Sequence, residues 1–185
     1  MAEKMIREIS SGGVVLRNRN EQWWMAAIEL PQPRAASPDA AKPPARGAKP
    51  TLCLPKGLVD PGEKPLPAAL REVREETGIT AELVTKLGDS KYVYVRSWGD
   101  RQKVFKIVSF YLLRYKSGRI DDVTPAMRVE VARALWIPLE DAPKLLAYKG
   151  EKDMARRALD YVTEHPDLAP PPAPTASAPR KAPRR

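Results

Sequence analysis

Three glutamates, Glu72, Glu75 and Glu76, follow Arg71 at the spacing i, i+3, i+4, and positions so related share one face of an α-helix. Like charges gathered there repel one another unless a cation neutralises them, so the spacing asks for a divalent metal. Magnesium prefers oxygen ligands and keeps several of its waters, so a few carboxylates suffice for it. Mg2+ is therefore the expected ion, with Mn2+ as the alternative. Glu72 and Glu76, one turn apart, lead as ligands, with Glu75 close behind. Arg71 is expected to pair with Glu63 or Glu75 and to fix carboxylate orientation.

The acids belong to a longer pattern, GLVDPGEKPLPAALREVREETGI from Gly57 to Ile79. Gly57, Glu63, Arg71, Glu72, Glu75, Glu76 and Gly78 stand at fixed offsets, with aliphatic Val73 and Ile79. A chance match at one start point has a probability on the order of 10^-9 at ordinary residue frequencies, which excludes an accidental acidic helix face. The segment resembles the signature of the Nudix hydrolases, enzymes that hydrolyse a nucleoside diphosphate linked to another group, and no fixed position is missing.

The resemblance implies a Nudix α/β/α sandwich, a metal site completed by the carbonyl of Gly57, and a general base from either the signature helix or a later loop. Here those two sources correspond to Glu72 and Glu130. The catalytic set implied is therefore Glu72, Glu130, Arg71 and Glu75, and the metal set Gly57, Glu72, Glu75 and Glu76. Leu54-Pro55-Lys56-Gly57 before the box, Lys106 with Phe110-Tyr111-Leu112 after it, and Glu130 ahead of Trp136 look like the diadenosine tetraphosphate hydrolase branch. Diphosphoinositol polyphosphate hydrolases share much of this pattern. The likeness covers residues 9 to 163 without the insertion described below. Thr51, Leu52 and Cys53 replace the aromatic residue often found before LPKG.

Phosphate chains call for cations and nucleobases for flat aromatic faces. Lys56, Lys91, Lys103 and Lys106 are candidates for a polyphosphate track. Tyr92 and Tyr148 are candidates to stack on a base, while Tyr94 and Tyr111 are expected in the core. His165 is the only histidine, which leaves a histidine triad, a zinc site or a fused histidine-phosphatase domain unsupported. A nucleotide sensor or RNA-binding module is the competing reading, and the intact glutamates count against it.

Of the 20 prolines, six lie in residues 31–50 and seven in residues 166–185. Proline lacks an amide donor and blocks helix and sheet interiors, so a disordered insertion at 31–50 and a disordered basic tail at 166–185 are expected, around a single domain spanning 1–165. Each island nets +3 of the formal charge of +9. The pI near 9.7 is thus mostly a property of these islands, and nucleic-acid binding through the tail is not the expectation. Cys53 is the only cysteine, expected as a small buried side chain. The absence of a signal-peptide pattern or membrane-length apolar run points to a soluble, cytoplasmic protein without a membrane partner.

Strands are expected at Ser11–Arg17, Gln22–Leu30, Thr51–Leu54, Glu82–Leu87, Tyr92–Trp98, Lys103–Tyr115 and Ala134–Ile137. Helices are expected from about Leu66 to Gly78, from Leu139 to Leu146 and from Gly150 to Glu164. The first is to bury Leu66, Ala69, Leu70, Val73 and Thr77 and to turn its acids to another face. Strands and helices mix without regular βαβ alternation, which makes the fold class α+β, a mixed sheet flanked by helices.

Overall fold

A computed structural model of the chain describes residues 5–31, 50–96 and 102–168. Most of the expected insertion, the Gly99-Asp100 turn, Trp98 and the tail from residue 169 lie outside the described residues. Pro166–Leu168, expected to begin the tail, form a 3-10 turn after the last helix.

Seven strands form one sheet among the described residues. They are β1 (Ile6–Arg19), β2 (Gln22–Glu29), β3 (Leu52–Cys53), β4 (Lys56–Leu58), β5 (Ile79–Val95), β6 (Lys103–Gly118) and β7 (Arg133–Pro138). The order is β3-β2-β1-β6-β5, with β4 beside β1 and β7 beside β2. β1 and β6 run parallel and the other pairs antiparallel, giving the mixed sheet that was expected. One edge of β1 changes partner along its length: Ser10–Gly12 pair with β4, and Leu16–Arg19 pair with β2.

The helices are α1 (Pro65–Thr77), the single turn α2 (Ala142–Leu145) and α3 (Lys149–Glu164). Alternation along the strands feeds both faces of the sheet. Val14, Leu16, Val108, Phe110 and Leu112 pack with Met154, Ala155, Ala158 and Val162 of α3. Val15, Ala26 and Leu113 pack with Val73 of α1. Covering both faces explains why Val14, Val15 and Leu16 are all buried.

Several boundaries differ from expectation for identifiable reasons. β1 starts at Ile6 because Ile6–Ile9 pair with Val104–Ile107 of β6. Glu82–Leu87 and Tyr92 onward belong to one strand, β5. The polar stretch between them stays in the ladder, with Asp89 opposite Ser109 and the Ser109 hydroxyl donating to Asp89 Oδ1 at 2.8 Å. The ladder absorbs the mismatch in three register shifts, the last between Lys86 and Gly88. The expected helix from Leu139 shrinks to one turn because the Leu139 amide bonds the Trp23 carbonyl at 3.0 Å and continues the sheet edge.

α1 also corrects the reading of its faces. Glu72 and Glu76 are buried together with Ala68, Ala69, Val73 and Thr77, whereas Leu66 and Leu70 are only partly covered. Gly78 ends the helix at φ 78°, with its amide on the Arg74 carbonyl. A Cβ at that position would come within 2.5 Å of the Asp122 carbonyl oxygen, so glycine meets both the left-handed backbone and the contact.

Candidate active site

Arg71 organises the exposed side of the acidic cluster. Its Nε and one terminal nitrogen donate to the two oxygens of Glu63 at 3.1 and 2.9 Å, and that same terminal nitrogen donates to the Leu58 carbonyl at 3.0 Å. The other terminal nitrogen reaches Glu72 Oε1 at 2.7 Å and Glu75 Oε2 at 3.2 Å. The expected partners Glu63 and Glu75 are thus both engaged, and Glu72 is added. The guanidinium beside Glu63 holds that carboxyl below the usual range. Arg71 itself is pushed further up, chiefly by Glu63.

Glu72 and Glu76 lie on the inner side of α1, 9% and 6% exposed. Burial pushes the Glu72 carboxyl up, and the charges of Glu75 and Glu130 add to the effect against the opposing pull of Arg71. Burial pushes Glu76 up to about 8, although the Lys56 amide donates to its Oε2 at 2.7 Å. Glu130, exposed at the end of a 3-10 turn before β7, raises both carboxyls through its charge.

The expectation that three helix acids converge is only partly met. Glu72 and Glu76 share the inner face; Glu75 turns outward to Arg71 with its side chain 45% exposed. Among the described residues no three His, Cys, Asp or Glu side chains come together closely enough to hold a metal by themselves. The backbone supplies a further wall: a Cβ at Gly57 would fall within 2.1 to 2.3 Å of the Glu72 carboxylate atoms. Two buried carboxylates pressed against this backbone offer an all-oxygen set to a hard cation. Burial is the chief cause of both raised carboxyls; the oxygen-only donor set, two buried carboxylates against backbone, is what fits a hard divalent metal.

A cavity of about 850 Å³ opens on the α3 side of the sheet. Lys91, Tyr92 and Tyr94 of β5, Lys106 of β6, and Tyr148 and Lys149 at the start of α3 line it. The substrate-binding candidates Lys56, Lys106, Tyr92 and Tyr148 all line this cavity, whereas Lys103 is not among the lining residues. Tyr94 corrects the expectation of a core side chain, because its hydroxyl donates to Glu8 at 2.9 Å. Tyr111 packs beside the α1 core as expected.

The sequence reading did not single out Glu8 or Glu151. Glu8 draws Arg96 to 3.0 Å and Lys106 to 3.7 Å; its only sequence signal is the alternation of Ile6-Arg7-Glu8-Ile9. Although burial opposes its charge, the hydrogen bonds from Arg96 and Tyr94 and the nearby Lys106 hold the Glu8 carboxyl below its usual range. Glu151, in the first turn of α3, forms an ion pair with Lys56 Nζ at 2.9 Å. Nothing in the local sequence distinguishes it from a surface helix acid.

The sequence profile of the NUDIX domain matches residues 9–158. The chain belongs to the Nudix family. A Mycobacterium tuberculosis protein provisionally named mutator protein MutT4 is 37% identical over 134 residues, covering 71% of this chain and 51% of that protein. An asymmetrical bis(5'-nucleosyl)-tetraphosphatase of Mus musculus is 33% identical over 112 residues, covering 60% of this chain and 72% of that one. This Nudix chain thus spans about half the length of the first relative. A Caenorhabditis elegans Ap4A hydrolase binary complex superposes with a TM-score of 0.55 at 21% identity, covering 85% of this chain and 98% of that one. At that identity the likeness bears on the Nudix fold, and it agrees with the mixed sheet and its flanking helices.

Proposed function

We propose that this Nudix protein is a magnesium-dependent hydrolase that cleaves a pyrophosphate bond in a nucleoside polyphosphate, with diadenosine tetraphosphate as the model substrate. The observation that carries the reading is the position of Lys56. Its amide binds buried Glu76, while its side chain reaches the wall of the cationic, tyrosine-lined cavity. Lys56 thereby links a carboxylate site for a cation to a pocket suited to a nucleotide polyphosphate.

Glu72, Glu76 and the Gly57 carbonyl would hold the ion, with Glu75 in reserve on the outer side. Bound there, a hard divalent cation would neutralise phosphate oxygens and lower the pKa of a coordinated water. Arg71 fixes one oxygen of Glu72 and so limits the rotamers of that carboxylate. Lys91, Lys106 and Lys149 present ammonium groups to a phosphate chain, and Tyr92 and Tyr148 offer half-exposed rings to a base. Glu130 is the favoured general base: Arg71 already occupies Glu72 Oε1, whereas Glu130 is exposed and its charge acts on both buried acids.

Product analysis tests the substrate. ATP and AMP from diadenosine tetraphosphate in the presence of Mg2+ are the expected products. Preferential turnover of a nucleoside triphosphate or an inositol pyrophosphate would keep the chemistry and reassign the substrate. Nucleotide binding without turnover under Mg2+ or Mn2+ would overturn the reading in favour of a sensor.

A further inference from the structure

Glu151 is 4% exposed and sits in the first turn of α3, on the opposite side of the sheet from α1. An acid buried so deeply requires partners, and its two partners are Leu54, in the loop leading into β4, and Lys56, the first residue of β4. Oε2 accepts the Leu54 amide at 2.9 Å, and Oε1 stands 2.9 Å from Lys56 Nζ. The start of α3 adds its own favourable field, since the positive end of the helix dipole lies there.

The same short segment carries the group that holds Glu76. Lys56 binds Glu151 through its side chain and Glu76 through its amide, donating to Oε2 at 2.7 Å. Fixing the side chain and the preceding Leu54 amide together limits how far the Lys56 peptide can shift. The next residue is Gly57, whose backbone faces the Glu72 carboxylate. One helix acid is therefore tied, through three consecutive peptide units, to both buried carboxylates on the other side of the sheet.

We propose that Glu151 is a positioning residue for the metal site, holding the Leu54–Gly57 backbone so that Glu76 and Glu72 keep a ligating arrangement. The proposal rests on the assignment of Glu76 as a metal ligand. It also gives Lys56 a structural duty: with its ammonium taken by Glu151, it is not the cation that a phosphate chain meets first. A ligand in the cavity lies beside the same strut, because Lys56 and Glu151 both line that wall.

The test uses E151Q, which keeps the shape and an acceptor for the Leu54 amide but removes the charge that holds Lys56. Metal binding is read directly by titrating Mn2+ into the full chain by calorimetry, and by the rise in Tm on adding Mg2+. E151Q is expected to remain folded, to weaken metal binding by about 10-fold or more, and to lower kcat with little change in KM, as changes behind a metal ligand do. E151D, with charge but shorter reach, is expected to fall between wild type and E151Q. The variant E76Q separates the two readings. Full metal binding and activity in E76Q would sink the ligand assignment itself. Loss in E76Q together with wild-type metal affinity in folded E151Q would overturn the positioning role alone. Should E151Q fail to fold, K56M supplies the second arm, removing the other half of the ion pair; unchanged metal affinity there would equally overturn it.

Discussion

Individual acids in this site carry opposite electrostatic signs of environment, and pH separates them. Glu76 has a folded pKa of about 8 against an ordinary value of 4.5. Between those values the folded chain holds a proton that the unfolded chain has released, so stability falls as pH rises through that window. In chelator, the free energy of unfolding is expected to drop by something on the order of 3 kcal/mol between about pH 5 and pH 8, allowing for partial relaxation of the site. E76Q should remove most of that slope, and excess Mg2+ should reverse it in the wild type. Urea denaturation at the two pH values checks this; an identical slope in E76Q would show that another group is responsible. Glu8, whose pKa is lowered, contributes with the other sign, and only as pH falls through the ordinary carboxylate range. The roles of Glu72 and Glu130 separate at the same scale. E72Q is expected to lose metal affinity and turnover together, whereas E130Q should lose turnover by about 100-fold or more with metal affinity retained, measured by calorimetry and steady-state kinetics. Weakened metal binding in E130Q would move it from base to ligand.

The elements show which parts of the site were legible in sequence. The spacing of Glu72 and Glu76 correctly put them on one side of α1, and Gly78 marked the helix end. The burial of that side was not legible, because an apolar stripe read from Leu66 and Leu70 ignores that β4 crosses over the acids. The local pattern also divided β5, since Gly88-Asp89-Ser90-Lys91 resembles a turn; a cross-strand bond from Ser109 keeps Asp89 in the ladder. Glu151 was invisible for a related reason: its partner Leu54 lies 97 residues earlier in the chain and Lys56 stands just after it, and no window around α3 contains them. The helix end offers a test of the element itself. Gly78→Ala must adopt φ 78° and meet carbonyl oxygens of Asp122 and Arg119 at 2.5 and 2.8 Å. A loss of about 2 to 4 kcal/mol is expected, combining left-handed strain with displacement of the facing loop. Urea denaturation measures it, and the fraction that remains folded should turn over normally because α1 still presents both carboxylates.

At the scale of the whole molecule, the described residues hold the candidate site, while the most basic and proline-rich stretches of sequence lie outside them. No helix of the described residues is long and apolar enough to cross a membrane. The acids, the cavity-lining residues and the Glu151 strut all lie between Glu8 and Arg157, within or one residue before the NUDIX match. The residues after Leu168 supply Arg180, Lys181, Arg184 and Arg185 without an acid among them, so removing them changes net charge more than it changes the site. A short phosphate chain inside the cavity would meet Lys91, Lys106 and Lys149, cations that the described residues themselves supply. A chain ending at Leu168 should therefore hydrolyse its nucleotide within about two-fold of the full-length rate at physiological salt, measured as initial velocity under saturating Mg2+. A polyanionic macromolecule gives the contrasting outcome. If the true substrate were RNA tracked along the basic tail, truncation would raise KM sharply and flatten the dependence of KM on salt, because fewer counterions would be released on binding. Comparing the salt dependence of the two chains on diadenosine tetraphosphate and on a 5'-triphosphorylated RNA decides between a pocket that is sufficient and a tail that recruits. Equal salt slopes for both chains on both substrates are the expected result for a pocket that works alone.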